Sequence, residues 1–214
     1  MSPTPAIDRP ATKGQRTRAE IIRRTARLMN RQGFLAAPMS AVIEATGIQK
    51  GGLYRHFASR EALVYAALDH AVAEVRERFV TALQGREHAC DQLLAFLSAY
   101  DAGSDASAIP FEGGCPIMNA AIESDHAHSG LQQRARDAMQ AWHGLLARIL
   151  ARGIRRGEVR ADVDADAEAS VMIACIEGAV MLSHLHGNTE ALAAARRHLE
   201  RHVQRDLRCD GVSA

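Results

Sequence analysis

Apolar residues recur at helical spacing from about Gln15 to Leu207, and no segment sustains the two-residue alternation of a half-buried strand. That pattern restricts the chain to an all-α fold of about nine helices. Interruptions in it set the expected boundaries. A first helix starts near Gln15, carries Ile22, Ala26 and Met29 on one face, and stops at Gly33, a residue suited to the position just past a helix. Pro38 fits the first turn of a second helix ending near Thr46, and Gly47 closes it. A third short helix covers about Lys50 to Phe57. Ser59 caps a long fourth, although Ala62 leaves its capping box incomplete, and Val64, Leu68, Ala71, Val75 and Phe79 form its stripe. Further helices are expected over about Ala89–Tyr100, Ile117–Glu123, Leu131–Arg156, Asp162–His186 and Glu190–Leu207. Residues 101–116, full of Gly, Ser, Asp and Pro, read as a loop.

The pattern divides the chain into a disordered basic arm at 1–14, a three-helix unit at 15–60 and a larger helical body at 61–214. Charge divides it in the same way. Residues 1–60 carry eleven Lys/Arg and three Asp/Glu, whereas the whole chain is only +1. A basic head on an acidic body suits a polyanionic partner, though chance clustering would look the same. The four cysteines, Cys90, Cys115, Cys175 and Cys209, form no C-x-x-C pair and no secreted disulfide framework. With no signal-like N-terminus, the expected compartment is the reducing cytoplasm. The longest apolar stretch, Ala169 to Ser183, is broken by Glu177 and falls short of the roughly 20 residues of a bilayer span. No membrane partner and no cofactor are expected.

Residues 39–57 read M-S-A-V-I-E-A-T-G-I-Q-K-G-G-L-Y-R-H-F. Two short helices joined at Gly47, with Val42 and Ile43 free to pack on Ile48, Leu53 and Phe57, fit a helix-turn-helix or a plain helical hairpin. In the first case the second helix exposes Gln49, Lys50, Gly51, Gly52, Tyr54, Arg55 and His56, residue types that reach phosphates or base edges. The longer strings I-I-R-R-T-A-R-L-M-N-R-Q-G-F and P-M-S-A-V-I-E-A-T-G-I-Q-K-G-G-L-Y-R-H-F-A-S-R-E-A-L resemble the DNA-binding domain of TetR transcription regulators. The resemblance implies phosphate contacts from Lys50, Tyr54, His56 and Arg60, and close backbone approach at Gly51 and Gly52. It implies base reading by Gln49 and Arg55, with Ser40 also on the DNA-binding face. Two departures stand out. Pro38 replaces a capping Thr or Ser, and Gln49 replaces a small capping Ser.

The segment Gly113 to Glu123 resembles a G-C-P-x-x-N stretch of one TetR branch, where it opens the sixth helix beside the ligand cavity. The resemblance implies a homodimer that is released from a palindromic double-stranded operator by a small apolar or amphipathic effector. Phe96, Tyr100, Phe111, Cys115, Met118, Met139, Trp142 and Met172 are the candidate lining, and each fits plain core equally well. Residues 162–207 resemble the family's pairing helices, with Val171, Ala174, Gly178, Met181 and Leu185 along one stripe. Two other readings stay open. Cys115 at a helix start fits a reactive thiolate, and hence a redox or electrophile sensor. Asp125, His126 and His128 would suit a helical metal-dependent enzyme, although i and i+2 rings on a helix diverge and no nucleophile motif accompanies them.

Overall fold

The computed structural model describes residues 12–100, 112–124 and 128–209, and among these it is helical, with one isolated bridge between Val159 and Arg208. The helices are α1 (Lys13–Gln32), α2 (Met39–Thr46), α3 (Lys50–His56), α4 (Arg60–Leu83), α5 (Ala89–Ser98), α6 (Pro116–Glu123), α7 (Ser129–Arg155), α8 (Ala165–His186) and α9 (Glu190–His202), followed by a π-helical turn, Val203–Leu207. The all-α expectation and the order of elements hold.

Several ends fall elsewhere than periodicity suggests, each for a capping reason. The first helix begins inside the expected 1–14 arm because Thr12 and Gln15 cap reciprocally: Gln15 N–H donates to the Thr12 hydroxyl and Thr12 N–H to the Gln15 side chain. Pro38 is the residue before α2 and not its first helical one. The eighth helix starts three residues late, because the Asp164 carboxylate accepts from Asp166 and Ala167 N–H.

Helices α1 to α3 close around Ile21, Met29, Phe34, Val42, Leu53 and Phe57, all buried. The inner face of α4 continues that core, since α4 packs on α1 at its start and on α5, α6 and α7 further along. The body is organised about α7, which packs on α5, α6 and α8, while α9 lies on α8. Helices α1 to α3 and the body therefore share one continuous core through α4.

The chain entering α6 crosses the end of α1 so closely that only glycine fits. Gly113 has φ +95, and a Cβ there would lie 2.3 Å from the Asn30 carbonyl oxygen. Gly113→Ala should therefore destabilise the fold by about 2 kcal/mol or more, through backbone strain and collision together. That corresponds to a melting temperature lowered by about 4 °C or more. Gly14→Ala, on the open side of α1 with no atom within 4 Å of its Cβ, should raise it slightly. Calorimetry that leaves Gly113→Ala at the wild-type melting temperature would remove the close crossing.

Candidate nucleic-acid interface and buried polar core

The short helix α3 is anchored from one side. Leu53 and Phe57 are buried, and the Arg18 guanidinium stacks 4.9 Å over the Phe57 ring. The opposite side presents Gln49, Lys50, Gly51, Tyr54 and Arg55 to solvent, with His56 partly covered and the Tyr54 ring 44% exposed. Ser40 on α2 is exposed as well. The two glycines have different reasons. A Cβ on Gly51 would meet nothing within 4 Å, leaving that backbone open to an incoming surface, whereas one on Gly52 would lie 2.8 Å from Ile48 Cγ2. Gly52 thus serves the turn as well as any partner. Neither α2 nor α3 has a side-chain cap, so Pro38 and Gln49 supply none.

Two basic residues of the head are already committed. Arg23 and Arg24 both donate to the Glu20 carboxylate at 2.5–2.9 Å, which holds that carboxyl at about 2. Arg60 also has a structural role that the resemblance does not imply. Its Nη2 donates to the carbonyls of Leu35 and Ala37 at 2.7 and 2.9 Å, so it fixes the α1–α2 connector, whose carbonyls would otherwise go unpaired.

A polar network that periodicity did not suggest joins this head to the body. Asn30 at the end of α1 donates to the carbonyls of Glu112 and Gly114 at 2.8 and 2.9 Å. Asn119 on α6 donates back to the Asn30 carbonyl and side-chain oxygens and to the Gly113 carbonyl. One turn on, the Glu123 carboxylate accepts from the N–H groups of Phe34 and Leu35 at 2.9 and 2.8 Å, and Arg31 pairs with Glu112. A cleft of about 240 Å³ opens beside it, lined by Ala26, Asn30, Glu112 and Pro116 among others. The one sequence signal was the Asn of the G-C-P-x-x-N segment, which fixes a position without naming its partner.

In the body, Phe79 of α4, Phe96 and Tyr100 at the α5 end, and Trp142 of α7 form an aromatic quartet. Phe79 lies 4.7 Å from Phe96, 5.2 Å from Tyr100 and 5.0 Å from Trp142, centroid to centroid. The candidate lining residues Phe96, Tyr100 and Trp142 thus pack ring against ring instead of standing around an open space. Met172 and Cys115 are buried, Met118 and Met139 are half-buried, and Phe111 lies outside the described residues. Trp142 and Phe79 also line an outer cleft of about 470 Å³ between α4 and α7, together with Val80, Leu145, Arg76 and Arg148.

Cys115 corrects the thiolate expectation. It is the residue preceding α6, and amide N–H groups of that helix do favour its charged form, but burial beside the Glu177 carboxyl outweighs them and pushes the thiol far up. Asp125 and His126 lie outside the described residues, and no metal-binding group of three His, Cys, Asp or Glu occurs among those described. No described helix is long and apolar enough to cross a membrane.

Along α8, Val171 (58% exposed), Ala174, Met181 and Leu185 (73%) face solvent, with Gly178 partly covered. These positions fall on one heptad-spaced stripe, apolar and open in the single chain.

Residues 21–67 match the family model for bacterial regulatory proteins of the tetR family, and residues 89–199 match the tetracyclin repressor-like C-terminal domain. The chain is 35% identical over 75 residues to the HTH-type transcriptional regulator UidR of Escherichia coli, a match covering 33% of this chain and 38% of that protein. It is 32% identical over 113 residues to the HTH-type transcriptional repressor KstR2 of Rhodococcus jostii, covering 51% and 54%. It thus spans less than two thirds of either curated relative. A TetR transcriptional regulator from Chloroflexus aurantiacus is similar over nearly its whole length: 41% identity, TM-score 0.85, 92% of this chain and 98% of that one.

The state of the thiols is directly measurable. In the folded protein Cys175 and Cys209, both partly exposed, should react with Ellman's reagent before the two buried thiols. Cys90, raised to about 11 by burial, and Cys115 should react only as the chain unfolds. Mass mapping that finds Cys115 among the first sites modified would restore it as a sensor.

Proposed function

Because the chain belongs to the TetR family of bacterial regulatory proteins, we propose that it is a homodimeric transcription regulator that grips a palindromic operator through α3 and lets go when a small effector enters the helical body. The observation carrying this reading is the two-sidedness of α3. Its apolar side is locked into the core, while Gln49, Lys50, Tyr54 and Arg55 project together from the other. Lys50 and Tyr54 suit phosphate contacts, and Gln49 and Arg55 suit base edges. One such helix reads only a few base pairs, so useful specificity needs two, set about 34–36 Å apart by a two-fold axis. The exposed α8 stripe supports pairing: a row of Val171, Met181 and Leu185 left in water would be costly at about 25 cal/mol per Å² of apolar surface.

Release follows from the polar network. A ligand that displaces α6 pulls on Asn30 and on the Phe34 and Leu35 amides, and so turns the head relative to the body. The ligand must bind the turned state more tightly, since equal affinity for both states shifts nothing. A coupling of about 1–3 kcal/mol, typical of such devices, lowers operator affinity by about 5–150-fold. A sensor acting through Cys115 is not favoured, because that thiol is buried and held neutral.

The test begins with selection of a binding site from a randomised duplex library, followed by anisotropy titrations at several salt concentrations. Lys50→Ala should weaken binding evenly across sequences and flatten the salt slope by about 1, whereas Arg55→Ala should relax base preference at one position by about 1–3 kcal/mol. Asn119→Ala removes no DNA contact and should weaken binding while leaving the salt slope unchanged. No selected site at all, or full-strength binding by Lys50→Ala, would refute the assignment of α3. For pairing, Gly178→Leu should convert the dimer to monomer in sedimentation, and an intact mutant dimer would take Gly178 off the seam.

A further inference from the structure

We propose that His202 is a pH-responsive latch, closed in its charged form, that fastens the end of α9 to the start of α8 and, resting on the reading of α8 as the pairing helix, tightens the dimer as pH falls. Both ring nitrogens of His202 meet carboxylates. Nδ1 lies 2.8 Å from Asp206 Oδ2, and Nε2 lies 3.1 Å from Glu168 Oε1. A neutral imidazole carries one N–H, and an ionised carboxylate can only accept. Donating to both acids at once therefore requires the imidazolium. The two contacts differ in reach. Asp206 follows His202 by one helical turn, whereas Glu168 stands 34 residues earlier, in the first turn of α8. The first contact is local, and the second ties two helices together.

The contact between helices is also the sheltered one. The Glu168 side chain is 14% exposed and that of His202 28%, against 66% for Asp206. The other charges around the ring do not compete for these acids. Asp162, Asp164 and Arg160 of the α7–α8 connector line the same concavity, and Arg160 is held by Asp162 at 2.7 and 3.0 Å. Asp91 of α5 is paired with Arg208, and His198, one turn earlier on α9, is exposed. Burial alone would lower the His202 pKa, but its hydrogen bonds to Asp206 and Glu168 outweigh burial and hold it above the ordinary 6.5. A raised value sets the direction of the response. The stabilisation is complete below pH 6.5 and is lost as pH rises through the folded-state pKa. Val171, at the start of the pairing stripe, lies one turn after Glu168 on α8 and lines the same concavity. Opening the latch thus frees the end of α9 from the turn of α8 where the stripe begins.

The purified full-length protein would be followed by NMR of its histidine side chains between about pH 5.5 and 9, with His202 assigned as the signal missing from His202→Gln. We expect His202 to titrate above 6.5 and Glu168→Gln to bring its pKa down. Wild type should melt about 2 °C or more above His202→Gln at about pH 6, and that advantage should shrink as pH rises. The dimer dissociation constant from sedimentation should rise several-fold over the same range in wild type and far less in His202→Gln. A His202 that titrates at or below 6.5, a melting advantage independent of pH, or a dimer that responds to pH equally in the variant would each overturn the latch. Should His202→Gln fail to fold, Glu168→Gln takes its place in the melting and sedimentation comparisons. A chain that is monomeric at every pH defeats the pairing reading, and the titration and melting results then decide the latch by themselves.

Discussion

The polar junction between the end of α1 and α6 ties a small basic head to a larger helical body, alongside the apolar core that the two share through α4. Asn119 donates to Asn30 across it, Asn30 donates to the carbonyls of Glu112 and Gly114, and Glu123 accepts two amide protons from the turn that follows α1. Each bond is worth only about 1 kcal/mol net. Breaking the set, however, would strand buried amides and carbonyls, and that cost is larger than the bonds themselves. The backbone is shaped around it: both Gly33 and Gly113 take positive φ, and a Cβ on Gly33 would sit 2.9 Å from the Glu123 carboxylate. The head therefore reports the position of α6, and α3 is carried along because its buried face shares the head's core.

The body shows the complementary arrangement, in which polarity is concentrated where helices can shift. The aromatic quartet gives α4, α5 and α7 a common apolar centre. Glu177 and Cys115 lie between α8 and the start of α6 as a polar contact within an apolar surround. A thiol–carboxyl contact of this kind is weak, because burial disfavours the charged form of both groups. The α1–α6 junction, with several satisfied bonds, is strong by comparison. In the proposed mechanism, a signal that starts at the weak contact and passes through the strong one would move α6 without uncoupling it from the head.

Much of this was legible in the sequence, and what was not had a definite cause. Helical periodicity located every described helix, because one apolar face per helix is a local property. The recognition helix was legible for the same reason, since Leu53 and Phe57 must turn inward and Lys50, Tyr54 and Arg55 must then face out. Ends governed by a side-chain cap, at Thr12 and Asp164, were displaced by two or three residues. Roles that depend on distant partners were not legible. The hold of Arg60 on the carbonyls of Leu35 and Ala37 leaves no mark in the sequence. Cys115 looks like an activated thiol until the fold buries it, beside a Glu177 that is 62 residues further on. Glu177 itself was visible only as the charge that interrupts an apolar run.

The same constraint requires coupling of the kind proposed to act through α6 as a unit. A Cβ on Gly113 would overlap the Asn30 carbonyl, so the approach to α6 has no room to slide along α1. With Asn119 and Glu123 one turn apart and both bound to the head, α6 cannot rotate about its axis without losing one set of bonds. What remains is displacement of α6 together with the end of α1. Interfaces packed this tightly do not deform gradually, and they favour two discrete arrangements over a continuum. In the proposed mechanism, a small shift at the start of α6 would thereby change the aim of α3, the quantity to which a two-fold operator is sensitive.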